Sequence, residues 1–183
     1  MMDRRAFSRS VLTGLVSVGG FMLLVPSTEA RVYMTPSEAK KLFWGDETVT
    51  PISLTLTKKQ RDDIKAASGI RVRAGKMGVW KTESGGWFVL DAVIGKHEFI
   101  DYAVALDASG AVKAIEILVY REGYGDAVVS PKWRAQFHGQ NHSKILNLDK
   151  EIMNISGATM SCRHVTEGIN RLLQMWALVF SNI

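Results

Sequence analysis

Between Gly78 and Tyr120 the chain carries a succession of strand patterns separated only by short turns. Gly78-Val79-Trp80-Lys81, the run from Gly86 to Gly95, Ile100 to Leu106 and Val112 to Tyr120 are rich in β-branched and aromatic residues. Asp107-Ala108-Ser109-Gly110 supplies the turn before the last of them. Connections this short leave no room for a crossover helix, so the strands form an antiparallel meander. In the final strand Ile115, Ile117, Leu118 and Val119 read as buried, with Lys113 and Glu116 outward. Helical patterns flank the meander, which makes the fold α+β, an antiparallel sheet packed with helices.

The helices announce their own starts. Thr35-Pro36-Ser37-Glu38 combines an N-cap Thr, a Pro in the first turn and a capping-box Glu, for a helix to about Trp44. Thr57-Lys58-Lys59-Gln60 repeats the device, for a helix ending near Ser68-Gly69. A last helix runs from about Ser161 to Val179, with Val165, Ile169, Leu172 or Leu173, Trp176 and Phe180 at helical spacing. No internal repeat or low-complexity linker divides the chain, so residues 31–183 form one domain.

The N-terminus is of another kind. Arg4-Arg5-Ala6-Phe7 precedes the apolar run Val11 to Pro26, and Thr28-Glu29-Ala30 offers a small-residue cleavage site before Arg31. This matches the core of a twin-arginine export signal, and residues 1–30 are read as that signal. A Sec signal or an uncleaved anchor fits the same residues. Each reading places the rest of the protein in the periplasm or anchored to the outer face of the bacterial inner membrane.

Charge and cysteine content exclude several functions. The net charge is +5, and removing residues 1–30 (Arg4, Arg5 and Arg9 against Asp3 and Glu29) leaves +4. That surplus is small and scattered, so nucleic acid is not an expected partner. One cysteine, Cys162, makes neither an internal disulfide nor a cysteine-based metal site. It stands at a helix start, where a thiol pKa tends to fall, although a packed small residue fits the same place. His97, His138, His142 and His164 are dispersed, with no acid–base or metal-ligand pattern around them.

Chemistry concentrates in two segments. Ser156-Gly157-Ala158-Thr159-Met160-Ser161 stands directly before the last helix. Small residues and hydroxyls there surround backbone N–H groups that lack intrahelical partners, at the positive end of the helix dipole. Such a place favours phosphate, although Thr159 or Ser161 could equally serve as an N-cap. The second segment is Glu122-Gly123-Tyr124-Gly125, followed by Trp133, Gln136-Phe137 and Gly139-Gln140. Its glycines allow positive φ and close approach of a flat ligand, and its aromatics offer faces to a ring.

In order and spacing the two segments resemble the FMN-binding domain family. That family includes the C subunit of the sodium-translocating NADH:quinone reductase and the G subunit of the Rnf complex. The resemblance covers about residues 75–180. It implies that Thr159 carries FMN through a phosphoester. Ser156, Gly157, Ala158, Met160 and Ser161 would then cradle the phosphate, and Glu122, Gly123, Tyr124, Gly125 and Trp133 would line the ring. It also implies a flavin transferase for maturation and a membrane electron-transfer subunit as partner. The chain would be an electron-transfer module rather than a free-standing enzyme. A noncovalent flavin-binding, sensory or scaffold domain is the alternative. The resemblance departs at three points: the glycine loop lacks a Thr-Pro pair, Gln140 replaces a Lys, and Met153 stands where the family usually has an Asp.

Overall fold

The computed structural model describes residues 30–72 and 77–183. The export-signal reading of residues 1–30 therefore falls, but for Ala30, outside the described residues. The order is β1 (Arg31–Val32), α1 (Pro36–Trp44), β2 (Val49–Pro51), α2 (Lys58–Ser68), β3 (Gly78–Thr82), β4 (Trp87–Ile94), β5 (Phe99–Leu106), β6 (Val112–Tyr120), α3 (Pro131–Arg134) and α4 (Thr159–Leu178). Single turns of 3-10 helix flank α3 and close the chain.

The six strands form one antiparallel sheet in the order β1-β6-β5-β4-β3-β2. Its centre, β3 to β6, is the meander expected from the sequence. The short edge strands β1 and β2 were not. Two and three residues carry no readable alternation, and both exist because a distant strand offers a free edge: Arg31 opposite Tyr120, and Thr50 opposite Lys81.

Both capping boxes form. The Thr35 hydroxyl accepts from the Glu38 N–H, and the Thr57 hydroxyl from that of Gln60, while each N3 side chain accepts from its cap backbone in return. Gly69 closes α2 in the left-handed conformation at φ 76°.

Helix α4 lies on one face of the sheet and makes the main core. Val165, Ile169, Leu172 and Leu173 bury against Val104, Ile117 and their neighbours. Each such side chain contributes about 1.5–3 kcal/mol on burial. The helix can lie this close because Gly168 faces Tyr102; a Cβ there would stand 2.3 Å from the phenol oxygen. Tyr102 in turn donates to Asp91 (2.7 Å), which also pairs with Arg171 of α4. Helix α1 covers part of the opposite face with Ala39, Phe43 and Trp44. Glu116 departs from the expected outward position: it pairs with Arg134 and is mostly covered.

Candidate functional site

The chain enters α4 through a tight turn in which the Ala158 N–H donates to the Ile155 carbonyl (2.9 Å). Gly157 sits in that turn at φ 83°, where a side chain would be strained. The N-cap position falls to Ala158, so the helix has no side-chain cap. Cys162 donates to the Ala158 carbonyl, which leaves the N–H groups of Thr159, Met160 and Ser161 without intrahelical partners. Neither nearby hydroxyl caps the helix. Thr159 Oγ1 accepts from Asn154 Nδ2 (3.1 Å), and Ser161 Oγ bonds to the Tyr120 hydroxyl (2.8 Å). Cys162 is fully buried just behind, and burial pushes its thiol up, against the lowering expected for a helix start.

The glycine loop is tied to this helix start. Tyr120 donates to the Tyr124 carbonyl and, through Ser161, bridges loop and helix. Gly125 adopts φ 87°, the positive value that its place in the loop suggested; Gly123 does not. A Cβ on Gly125 would lie 2.8 Å from the Tyr120 hydroxyl and 3.1 Å from Ser161 Oγ. The glycine is therefore needed for the lock itself rather than for approach of a ring. On the outer side Arg31 of β1 pairs with Asp126 and reaches the Gly123 carbonyl.

Glu122 organises a third wall. Its buried carboxylate accepts from the N–H groups of His97 and Glu98 in the β4–β5 turn. Burial alone would raise its pKa, but the N–H donors of Glu98, His97 and Lys96 outweigh that and hold it below the usual carboxylate value. Gly95 is required beside it, since a Cβ would meet Glu122 Oε1 at 2.7 Å.

These three segments enclose one cleft of about 640 Å³. It is lined by Lys96, His97 and Glu98, by Glu122 to Gly125, and by Gly157 to Ser161. That volume lies within the roughly 300–1,000 Å³ of cofactor sites. Of the residues expected at the site, Thr159, Gly157, Ala158, Met160, Ser161, Glu122, Gly123, Tyr124 and Gly125 line it. Ser156 and Trp133 do not. Ser156 is exposed in the turn, while Trp133 is buried against Phe137 with the rings 5.2 Å apart. Its indole N–H donates to the Met153 carbonyl (2.8 Å), and Gln136 accepts from the Met153 N–H (2.7 Å). Trp133 and Gln136 thus hold the segment that leads into Thr159. Lys96, His97 and Glu98 were missed, because a polar hairpin turn carries no local mark of what it will face.

The residues present suit a phosphate-bearing flat molecule. Three backbone N–H groups at an uncapped helix start match the phosphate, and a threonine oxygen stands among them. Tyr124, 91% exposed at the rim, offers an unencumbered ring face. Another cleft, about 430 Å³ and lined by residues of β3 to β6 and Arg171, has no such donors, and its arginine is already paired with Asp91.

An α+β domain that sets an uncapped helix start and a glycine loop around one cleft suits a phosphorylated ring cofactor. Residues 95–174 match the family model of the FMN-binding domain. Over those residues the chain is similar to FMN-binding domains, and the match supports FMN as the cofactor. The match begins at Gly95, in the turn that forms the third wall, and ends within α4. No curated protein matches the chain.

Proposed function

We propose that the protein is an exported electron-transfer flavoprotein in which FMN is joined to Thr159 through a phosphoester. It would pass electrons between a membrane redox partner and an extracytoplasmic acceptor. One observation carries this reading: the segment from Gly157 to Ser161 and the glycine loop, separated in sequence, line one cleft with Thr159 on its wall. The twin-arginine pattern at Arg4-Arg5 supports export.

Bound FMN supplies one- or two-electron chemistry. The chain's own residues bind and orient it. The N–H groups of Thr159, Met160 and Ser161 would hold the phosphate charge at the positive end of α4. The Tyr120–Ser161 bond fixes the loop relative to that anchor. Tyr124, exposed at the rim, would offer its ring face to the flavin. Attachment requires an activated donor: the Thr159 oxygen bonds to phosphorus as a flavin dinucleotide loses a nucleoside monophosphate. A base of the flavin transferase takes the hydroxyl proton.

Met153, in place of the family's usual aspartate, favours a second reading in which FMN binds without a covalent bond. Colour separates the two. Protein purified from cells that export it beside a flavin transferase should be yellow and stay yellow after denaturation and precipitation. Colour lost on denaturation would establish noncovalent binding. A chain that takes up no flavin at all would leave only the scaffold.

A further inference from the structure

We propose that Asn154 positions the Thr159 hydroxyl for attachment and steadies the oxygen as it bonds to phosphorus. The proposal rests on Thr159 being the attachment residue.

Position 153 faces outward: the Met153 side chain is 72% exposed. Its backbone is held at both polar atoms, the N–H by Gln136 and the carbonyl by Trp133. This double clamp fixes the direction of the chain at the next residue, and Asn154 turns inward. Its Nδ2 donates to Thr159 Oγ1 (3.1 Å), while its Oδ1 is buried with no partner among the described residues. Rotating the amide would exchange the two atoms and still leave one unpaired. Thr159 is thus the one group that this amide serves among the described residues. A half-satisfied buried amide is unfavourable for stability, so the contact with Thr159 is the property that it retains.

The chemistry suits a donor rather than an acceptor. In attachment the Thr159 oxygen forms a bond to phosphorus, the anhydride P–O bond of a flavin dinucleotide breaks, and the nucleoside monophosphate leaves with the electron pair. The hydroxyl proton passes to the transferase's base. The threonine oxygen gains negative charge on the way, and an N–H aimed at it stabilises that charge. Once the ester has formed, the oxygen can only accept, and Nδ2 still fits it. A carboxylate at 154 would find no proton to accept once the ester has formed, and it would face the phosphate charge throughout. Positions 153 and 154 therefore divide two tasks: 153 is exposed where a transferase can read it, and 154 touches the oxygen that reacts.

The test is steady-state modification of the purified chain by a flavin transferase with flavin adenine dinucleotide, read by intact mass over a range of acceptor-protein concentrations. Asn154→Ala should lower kcat about tenfold, with KM for the acceptor protein within about twofold of wild type. Asn154→Asp is isosteric and keeps the test open should the alanine variant fold poorly; it should lose at least as much. Met153→Asp should change KM and leave kcat alone. An unchanged kcat in Asn154→Ala, a loss confined to KM, or faster attachment in Asn154→Asp would overturn the proposal. In each of those cases a modified wild type leaves Thr159 standing as the attachment residue. An unmodified wild type would end the Thr159 reading and this proposal together.

Discussion

The two ends of α4 are built differently. At the C-terminal end most apolar groups are packed, Leu178 being the exposed one. Trp176 lies over Gly110, where a Cβ would come within 2.2 Å of the indole, and Phe180 stacks on Trp87 with centroids 4.8 Å apart. At the N-terminal end the backbone has no side-chain cap, and the hydroxyls that could cap it are directed sideways to Tyr120 and Asn154. One end supplies stability. The other leaves donors free for a ligand, which a helix already held along its length by the sheet can tolerate.

The comparison breaks most visibly at the packed end. Phe180→Ala removes a fully buried ring and should cost about 3–5 kcal/mol. For a domain of this size that lowers Tm by roughly 10 °C. Affinity of the folded protein for FMN should stay unchanged. Thermal unfolding and flavin titration check the two halves, and weakened FMN binding in the folded variant would show that the ends are not independent.

Gly125→Val should act the other way. It forces a β-branched residue to positive φ and pushes against Tyr120 and Ser161, a strain of about 1–3 kcal/mol. Because that lock fixes the loop beside the helix start, flavin retention should fall by about tenfold or more with the fold preserved. Fluorescence titration of protein made without a transferase reads this directly. Wild-type affinity would make the loop an ordinary turn.

A smaller effect should appear with pH. The Glu122 carboxylate is held below its ordinary value of 4.5 in the folded protein. Its contribution is therefore complete above about pH 4.5 and is lost as pH falls through the lower folded value. Noncovalently loaded protein should release FMN across that acid range as the β4–β5 turn comes away. Glu122→Gln should bind more weakly at neutral pH and lose this acid step. An identical acid profile in the variant would remove Glu122 from the wall.

What could be read from the sequence follows the range of the interactions. Thr35 and Thr57 make their capping boxes within four residues, so both helix starts were legible. The meander was legible for the same reason, since each strand pairs with its neighbour. The glycine loop and the segment before α4 stood out by residue type, and of the paired glycines Gly125 takes positive φ while Gly123 does not. What escaped depends on partners far along the chain. Strand β1 exists through Tyr120, the Lys96–Glu98 wall through Glu122, and the position of Trp133 through Met153. An aromatic residue near a glycine loop reads as a ring contact, but here the indole N–H found a carbonyl instead. Asn154 reads as a loop residue until the turn at Gly157 brings Thr159 back to it.

The central claim is that the open end of α4 is an attachment site, and peptide mapping tests it most directly. Full-length protein made beside a flavin transferase with flavin available should gain the mass of one FMN less water. The adduct should map to Thr159, be absent from Thr159→Ala, and persist to some degree in Thr159→Ser, which keeps an oxygen nucleophile. An adduct on Ser156 or Ser161, or tight FMN binding with no adduct at all, would contradict it.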